Sequence, residues 1–469
     1  MLIRRAEVWQ HGLADLRISI GRIAAIGQLV PEPGETIIEA NGGALLPGLH
    51  DHHIHLTASA ARAASVICGP PQVTSAQDLA SVLSAPGEGW LRGILYHESV
   101  MGLPDVAALD EFAPHRPVRI QHRSGRMWLL NSRALDLLLA AAAPPAGMEC
   151  SDGRFTGRLF DEDTWLQGAM ASQPPSLADV SAELARYGVT GVTDMSPRND
   201  PVIAGYFAEQ VASGALLQHC TLAGMLALAD APASLHWQLG PAKLHLHESA
   251  LPDFQQTVNF IRAAHAQARG LASHCTTETE LVFTLAALEA AGPMRGDRIE
   301  HAGIACDDHI AMIAAMGLAV VSQPHFIAER GDQYLAGVEP ELHPALYRLA
   351  SFINSGVPLA AGSDAPFGSL DPWNAMAAAV SRQTTSGEIV RKDEALSPEQ
   401  ALELYLADPA DISRQRTIAL GEPADLCLLS CPWSEAHEGL TSTQVAATIV
   451  SGKTIHNRID QPPVQRFPR

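Results

Sequence analysis

No stretch of this 469-residue chain stays apolar long enough to cross a bilayer, because the longest run, around Leu137–Ala146, is alanine-rich and broken by prolines. The N-terminus, Met-Leu-Ile-Arg-Arg-Ala-Glu-Val, lacks the apolar core and small-residue cleavage site of a secretory signal, so a cytoplasmic protein is expected. Cysteine is scarce. Seven of them, an odd and scattered set, suit a reducing compartment and speak against a disulfide framework. Cys427 and Cys431 lie close, but no second Cys/His pair nearby completes a zinc site, so both read as small buried hydrophobes. Basic residues are outnumbered, 31 Lys and Arg against 51 Asp and Glu. The resulting formal charge of -20 disfavours nucleic acid or an anionic membrane as partner, since phosphate binding needs clustered Lys and Arg. Only 17% of the residues are charged and 47% are hydrophobic, enough to bury a large core in one large domain plus a smaller one. An acidic enzyme of small molecules is the class that fits.

Both ends of the chain read as short antiparallel strands. Arg17-Ile-Ser-Ile, Gly21, Arg22-Ile-Ala-Ala-Ile and Gly27 alternate apolar and polar residues with turn punctuation, and Ala424–Ser430 and Ala446–Ile455 do the same. A composite β domain of residues 1–49 and 416–469 is expected, framing a catalytic domain at 50–415. Between the ends, short and nearly continuous apolar strands alternate with Ala- and Leu-rich helical stretches, the pattern of a parallel sheet covered by helices. After a first strand near residue 50, the candidates are Gly188–Asp194, His219–Met225, Ala242–His247, Gly270–His274, Arg298–His301, Ala319–Pro324 and Pro358–Asp364. Eight βα units close into a barrel with its site at the C-terminal strand ends, and most of these strands end in His, Asp or another polar group. A doubly wound open sheet is the alternative. Residues 57–187 break the rhythm and read as an insertion, lid-like over the site.

Residues 47–55 read Pro-Gly-Leu-His-Asp-His-His-Ile-His. On a strand, His53 and His55 project to the same face, a ready two-point grip on a metal, though His-x-His also arises by chance among 20 histidines. His274, His301 and Asp364 end three later strands, and imidazole and carboxylate converging on one barrel mouth suit one or two divalent ions. Lys243 shares a strand face with His245 and His247. Buried near cations, its amine loses its proton and becomes able to capture carbon dioxide as a metal-bridging carbamate; the plainer alternative is a lysine paired with an acid. Asp364 ends the apolar strand Leu359-Ala-Ala-Gly-Ser-Asp, where a carboxylate can touch a metal and take a proton, or merely form a turn.

The His53/His55 run, the strand-ending His274 and His301, and Gly362-Ser-Asp-Ala-Pro together resemble the metal-ligand motifs of the amidohydrolase superfamily. Asn131-Ser-Arg-Ala-Leu, Asp152-Gly-Arg-Phe-Thr-Gly, Arg298-Ile-Glu-His-Ala and Asp371-Pro are similar to the branch that includes N-substituted formamide deformylase. The resemblance spans nearly the whole chain. It implies a distorted (β/α)8 TIM barrel with a small β-sandwich domain built from both chain ends, hydrolysing amide or related C–N bonds by attack of a metal-activated hydroxide. It further implies that His53 and His55 bind the more buried metal, His274 and His301 the second, carboxylated Lys243 bridges the two, and Asp364 binds the first metal and shuttles the proton. Two zinc ions are the default for such ligands, with manganese, iron or cobalt as substitutes. A homodimer is implied by the family alone. The branch usually carries Asp-Gly after the strand-four lysine, where this chain has His247-Glu248, and Gly-His before Asn-Ser, where it has Gly125-Arg126, so the resemblance leaves the substrate open.

His122, Arg123 and Arg126 form a basic cluster suited to a substrate carboxylate if the insertion covers the barrel mouth, or else are solvated surface charges. His245, His247 and His325, near strand ends, are further candidates for substrate contact, and Glu278 and Glu300 for orienting the ligands. A mononuclear heterocycle deaminase uses the same histidines and Asp without needing the lysine. A non-hydrolytic use of the site is a further alternative, and so is a metal-binding module that has lost catalysis.

Overall fold

The computed structural model describes residues 1–170 and 174–459. They form two compact units, Met1–Leu56 with Ser176–Arg469, and Thr57–Pro175. The larger unit contains eight parallel strands: Leu49–Ile54, Val189–Asp194, His219–Gly224, Gln238–Leu244, Leu271–Cys275, Arg298–His301, Ala319–Ser322 and Leu359–Ala361. Each pairs with its sequence neighbour, and the first and second are buried at every position, as strands covered on both faces must be. The ladder does not end at an open edge. Beyond the eighth strand, the Asp364 amide donates to the His53 carbonyl at 2.6 Å and the His55 amide to the Ala365 carbonyl at 2.8 Å, returning the sheet to its first strand as a barrel rather than a doubly wound sheet. That approach needs glycine at 362, where a Cβ would lie 2.3 Å from the His53 amide nitrogen.

The helices outside the barrel are started by their own sequence. Asp200 caps Pro201–Ala212, Asp253 caps Phe254–Ala266, and Thr277 with Glu280 makes a full capping box on Glu278–Ala291. One crossover is irregular: between the third and fourth strands only a short 3-10 turn, Leu226–Asp230, replaces the helix. The fourth strand also runs earlier than the sequence suggests. It pairs from Gln238 and leaves the ladder after Leu244, so His245 and His247 lie beyond the strand.

The composite β domain is one eight-stranded sheet. Leu426–Leu429 from the C-terminal end pairs antiparallel with Ala44–Pro47 from the N-terminal end, joining the two contributions edge to edge. Ile3, Leu16, Ile18, Leu45, Leu426, Leu428 and Ile449 fill its core. Among the described residues no helix is long and apolar enough to cross a membrane, and all seven cysteines are free thiols.

The Thr57–Pro175 unit holds a six-stranded sheet with helices Ala76–Leu83, Val106–Phe112, Ser132–Ala141 and Asp163–Met170. The helix Ala178–Arg186, inside the stretch read as an insertion, belongs to the larger unit. Two sequence motifs of the insertion turn out to be architectural. Asp152 and Gly153, both at positive φ, make the two-residue turn between Met148–Ser151 and Arg154–Phe160. Asn131 is fully buried and ties four backbone groups: its Oδ1 accepts from the amides of Val118 and Ala134, and its Nδ2 donates to the carbonyls of Ala113 and Arg116. Removing that side chain strands buried donors and acceptors and a helix cap together. Asn131→Ala should therefore cost about 2–4 kcal/mol in urea denaturation of the full chain. A loss below about 1 kcal/mol would mean that the motif serves something other than this scaffold.

Candidate metal centre

Asp51 and His53 share one face of the first barrel strand, as the two-residue period requires, and His55, one residue beyond the strand's end, lines the same cavity as His53. The Nε2 atoms of His53 and His55 lie 3.4 and 3.1 Å from one oxygen of Asp364, and the three ligand atoms are all within 4.8 Å of one another. Asp51 holds the two strands in this register, its Oδ1 accepting from the amides of both His53 (3.1 Å) and Ser363 (3.0 Å). Asp364 itself sits at φ 49, a left-handed conformation unfavourable to a non-glycine residue and sustained here by the bond from its amide to His53.

The tautomers of the buried His53 and His301 are set by acceptor oxygens on their partners. Glu300 takes the Nδ1 proton of His53 at 2.5 Å and is fixed in turn by Arg298 Nε at 2.6 Å. Gln323 Oε1 takes that of His301 at 2.7 Å. Both rings therefore present an unprotonated Nε2 to the centre, the arrangement metal-ligating histidines adopt. His301 Nε2 lies 3.0 Å from His274 Nδ1, and the rings of His53 and His301 are 4.9 Å apart, so the two histidine pairs adjoin. His301, like Asp364, is a non-glycine residue of the centre at positive φ, 70°.

Burial dominates the electrostatics. It pushes the imidazoles of His53 and His301 well below their ordinary range and those of His274 and His245 down to about 3 and about 4, with the charge of Lys243 adding to each shift. Lys243 is itself buried, its Nζ has no hydrogen-bond partner, and desolvation lowers its pKa against the opposing pull of Glu300 and Asp364. The imidazoles of His53, His55, His274 and His301, the Asp364 carboxylate and the unpartnered Lys243 amine form a donor set that fits divalent metal.

These residues open onto a cavity of about 570 Å³, a size suited to a small molecule. All six candidate ligands line it, as do His245 and His247. His325 does not: it is buried beneath the loop after the eighth strand, its Nε2 3.0 Å from the Ser363 carbonyl, which corrects its reading as a substrate contact. Arg126 and His122 belong to the Thr57–Pro175 unit and are already engaged, Arg126 in a two-point pair with Asp161 and His122 with Glu98 at 2.8 Å. Glu278 orients none of the ligands and faces His309 instead. Sequence reading did not find Gln323 or the distal wall of Ile304, Phe326, Arg330, Tyr347 and Phe367. Gln323 follows the seventh strand directly, a strand-end polar position like those of the ligands, whereas the wall residues carry no local signal.

A sequence model of the Amidohydrolase family matches residues 36–456. N-substituted formamide deformylase of Arthrobacter pascens is 26% identical over 94% of this chain and 94% of its own length. Among solved structures, uncharacterized metal-dependent hydrolases of Pyrococcus horikoshii and Pyrococcus furiosus superpose with TM-scores of 0.76 and 0.75 at 19% and 21% identity, each over 92% of this chain and 97% and 98% of theirs.

In the metal-free protein four imidazoles that line the cavity, His53, His245, His274 and His301, have folded pKa values below the unfolded value near 6.5. The unfolded chain thus takes up more protons as pH falls, and the stability these groups confer above about pH 6.5 is lost on the way down. Asp51, pushed up to about 6 by burial, opposes this, but as one carboxyl against four rings. Chelator-treated protein should melt at a lower temperature at pH 5 than at pH 7. An equal or higher melting temperature at pH 5 would contradict the neutral-imidazole assignment.

Proposed function

Because the chain belongs to the amidohydrolase family, whose members are metal-dependent hydrolases acting on C–N bonds, we propose that its centre is binuclear, bridged by carboxylated Lys243, and cleaves an amide or related bond of a small molecule. The observation that carries this reading is Lys243. Its amine is buried and unpartnered, and it lines the same cavity as both histidine pairs and Asp364. Desolvation favours the neutral amine, whose nitrogen lone pair attacks carbon dioxide, forming an N–C bond as one C=O π bond opens, while one N–H proton leaves to water. The product is an anionic carbamate with two oxygens, which answers both the missing hydrogen bonds and the surplus of neutral donors.

His53, His55 and Asp364 would hold one metal and His274 and His301 the other, with the Lys243 carbamate shared. Bound there, divalent metal supplies Lewis-acid polarisation of the scissile carbonyl and acidifies the attacking water. Glu300 and Gln323 keep the His53 and His301 rings in the ligating tautomer. Asp364 takes the proton of the attacking water and returns it to the departing nitrogen. Ile304, Phe326, Val338, Leu346 and Phe367 give the cavity an apolar wall that excludes water and suits a substrate with a hydrocarbon group beside the cleaved bond.

Asp364→Asn should lower turnover by about 10²–10⁴-fold across a panel of N-acyl and cyclic amides while metal content stays mostly intact. Full residual activity in that variant rules out Asp364 as the proton carrier. Lys243→Ala, prepared without chelators and with bicarbonate, should lose about two equivalents of metal per chain, regained in part with short carboxylic acids. If the alanine variant keeps the native metal content, the bridge is wrong and the one-metal, heterocycle-deaminase reading takes its place.

A further inference from the structure

Behind the cavity wall, the loops after the fifth and sixth barrel strands bring together three donors that the metal centre leaves unused. Cys306 is the N-terminal cap of the helix Asp307–Ala315, His309 lies in that helix's first turn, and Glu278 opens the helix Glu278–Ala291. Cys306 Sγ, His309 Nδ1 and a Glu278 carboxylate oxygen all lie within 4.8 Å of one another. The sulfur is 3.2 Å and the carboxylate 4.0 Å from the same ring nitrogen. We propose that Cys306, His309 and Glu278 form a separate site for a borderline divalent cation of the zinc type, distinct from the catalytic centre.

Three physical points support the assignment. The Cys306 backbone amide donates to His309 Nδ1 at 3.3 Å, so that nitrogen is unprotonated, and its lone pair, engaged only by this long bond, is the one a cation beside the sulfur and the carboxylate would take over. A sulfur, a nitrogen lone pair and a carboxylate oxygen then face one another, and among the described residues Glu278 has no Lys or Arg partner to offset its charge; its one ion-pair contact is His309. Asp308 in the same turn adds to the attraction for a cation, whereas Asp307 is paired with Arg348. Thiolate, imidazole and carboxylate around a tetrahedral zinc stand about 3.4–3.6 Å apart. The observed S–N separation of 3.2 Å is a few tenths of an ångström short of that range, and the N–O separation of 4.0 Å is about half an ångström beyond it, a gap that rotation of the partly exposed Glu278 side chain can close.

The His309 side chain is mostly buried and that of Glu278 is 42% exposed, so the site is anchored on one side and open to water on the other, leaving a fourth position for solvent. Its neighbours give it a place in the enzyme. Thr277, directly before Glu278, and Ile304, two residues before Cys306, both line the active cavity. An ion here would clasp those two segments of the cavity wall from behind.

The test uses cobalt(II) titrated into the full-length protein already carrying its resident metal. The ligands assigned to the catalytic centre include no sulfur, so a thiolate-to-cobalt charge-transfer band in the near ultraviolet reports this site alone. The band should appear in the native protein and saturate at one equivalent, persist in Lys243→Ala, vanish in Cys306→Ser, and need more cobalt in Glu278→Gln. Absence of the band from the native protein, or its survival at full strength in Cys306→Ser, overturns the proposal. Titration unchanged in Glu278→Gln overturns the three-donor form. None of these readouts depends on turnover, so failure here leaves the hydrolase reading as it stands.

Discussion

The closing of the barrel between its eighth and first strands is the constraint on which the centre depends. Asp51 accepts an amide from each side of that seam, Gly362 leaves room for the His53 backbone, and the Asp364 amide bonds to the His53 carbonyl. The same contacts that complete the sheet therefore carry Asp364 to the Nε2 atoms of His53 and His55. The left-handed backbone of Asp364 is tolerable because the seam over-determines it.

The protein keeps this constellation in a state primed for metal by burial rather than by charge. In a chain with a formal charge of -20, the centre is lined by imidazoles held neutral and an amine without a partner. Neutral donors lose no protons on binding a cation, whereas protonated ones must, so desolvation has already met part of the free-energy requirement of assembling the site. Of the acids present, Glu300 and Asp51 are turned toward side-chain and backbone N–H groups and hold the scaffold, while Asp364 faces the Nε2 atoms of His53 and His55.

Much of this was legible in the sequence because the signals are local. His53 and His55 announce themselves by their two-residue spacing on an apolar strand, and His274 and His301 fall at strand ends found from apolar runs alone. What escaped depends on pairings between distant positions. Glu300 was legible as a residue that orients a ligand, but its service to His53, 247 positions away, rather than to the adjacent His301 was not, and Gln323 serves His301 from the neighbouring strand. His325 has the same strand-end position as true cavity residues, and only packing decides that it points under the Ser363 loop. Three family motifs turned out to be carpentry rather than chemistry. Asn131 ties backbone, Asp152-Gly153 turns a hairpin, and Asp371 caps the helix Pro372–Ser381 by accepting from the Trp373 amide.

The sixth barrel strand, four residues long, carries Arg298, Glu300 and His301. His301 belongs to one histidine pair, while Glu300, steadied by Arg298, orients a ring of the other. Neighbouring residues on this strand thus tie the two halves of the centre mechanically, and neither half can be retuned without moving the other. A chain that accommodates more than a hundred residues between its first and second barrel strands has no comparable freedom here, where inserting or deleting one residue would disconnect both halves at once. Divergence of substrate within this architecture is therefore channelled away from the sixth strand and into the distal wall.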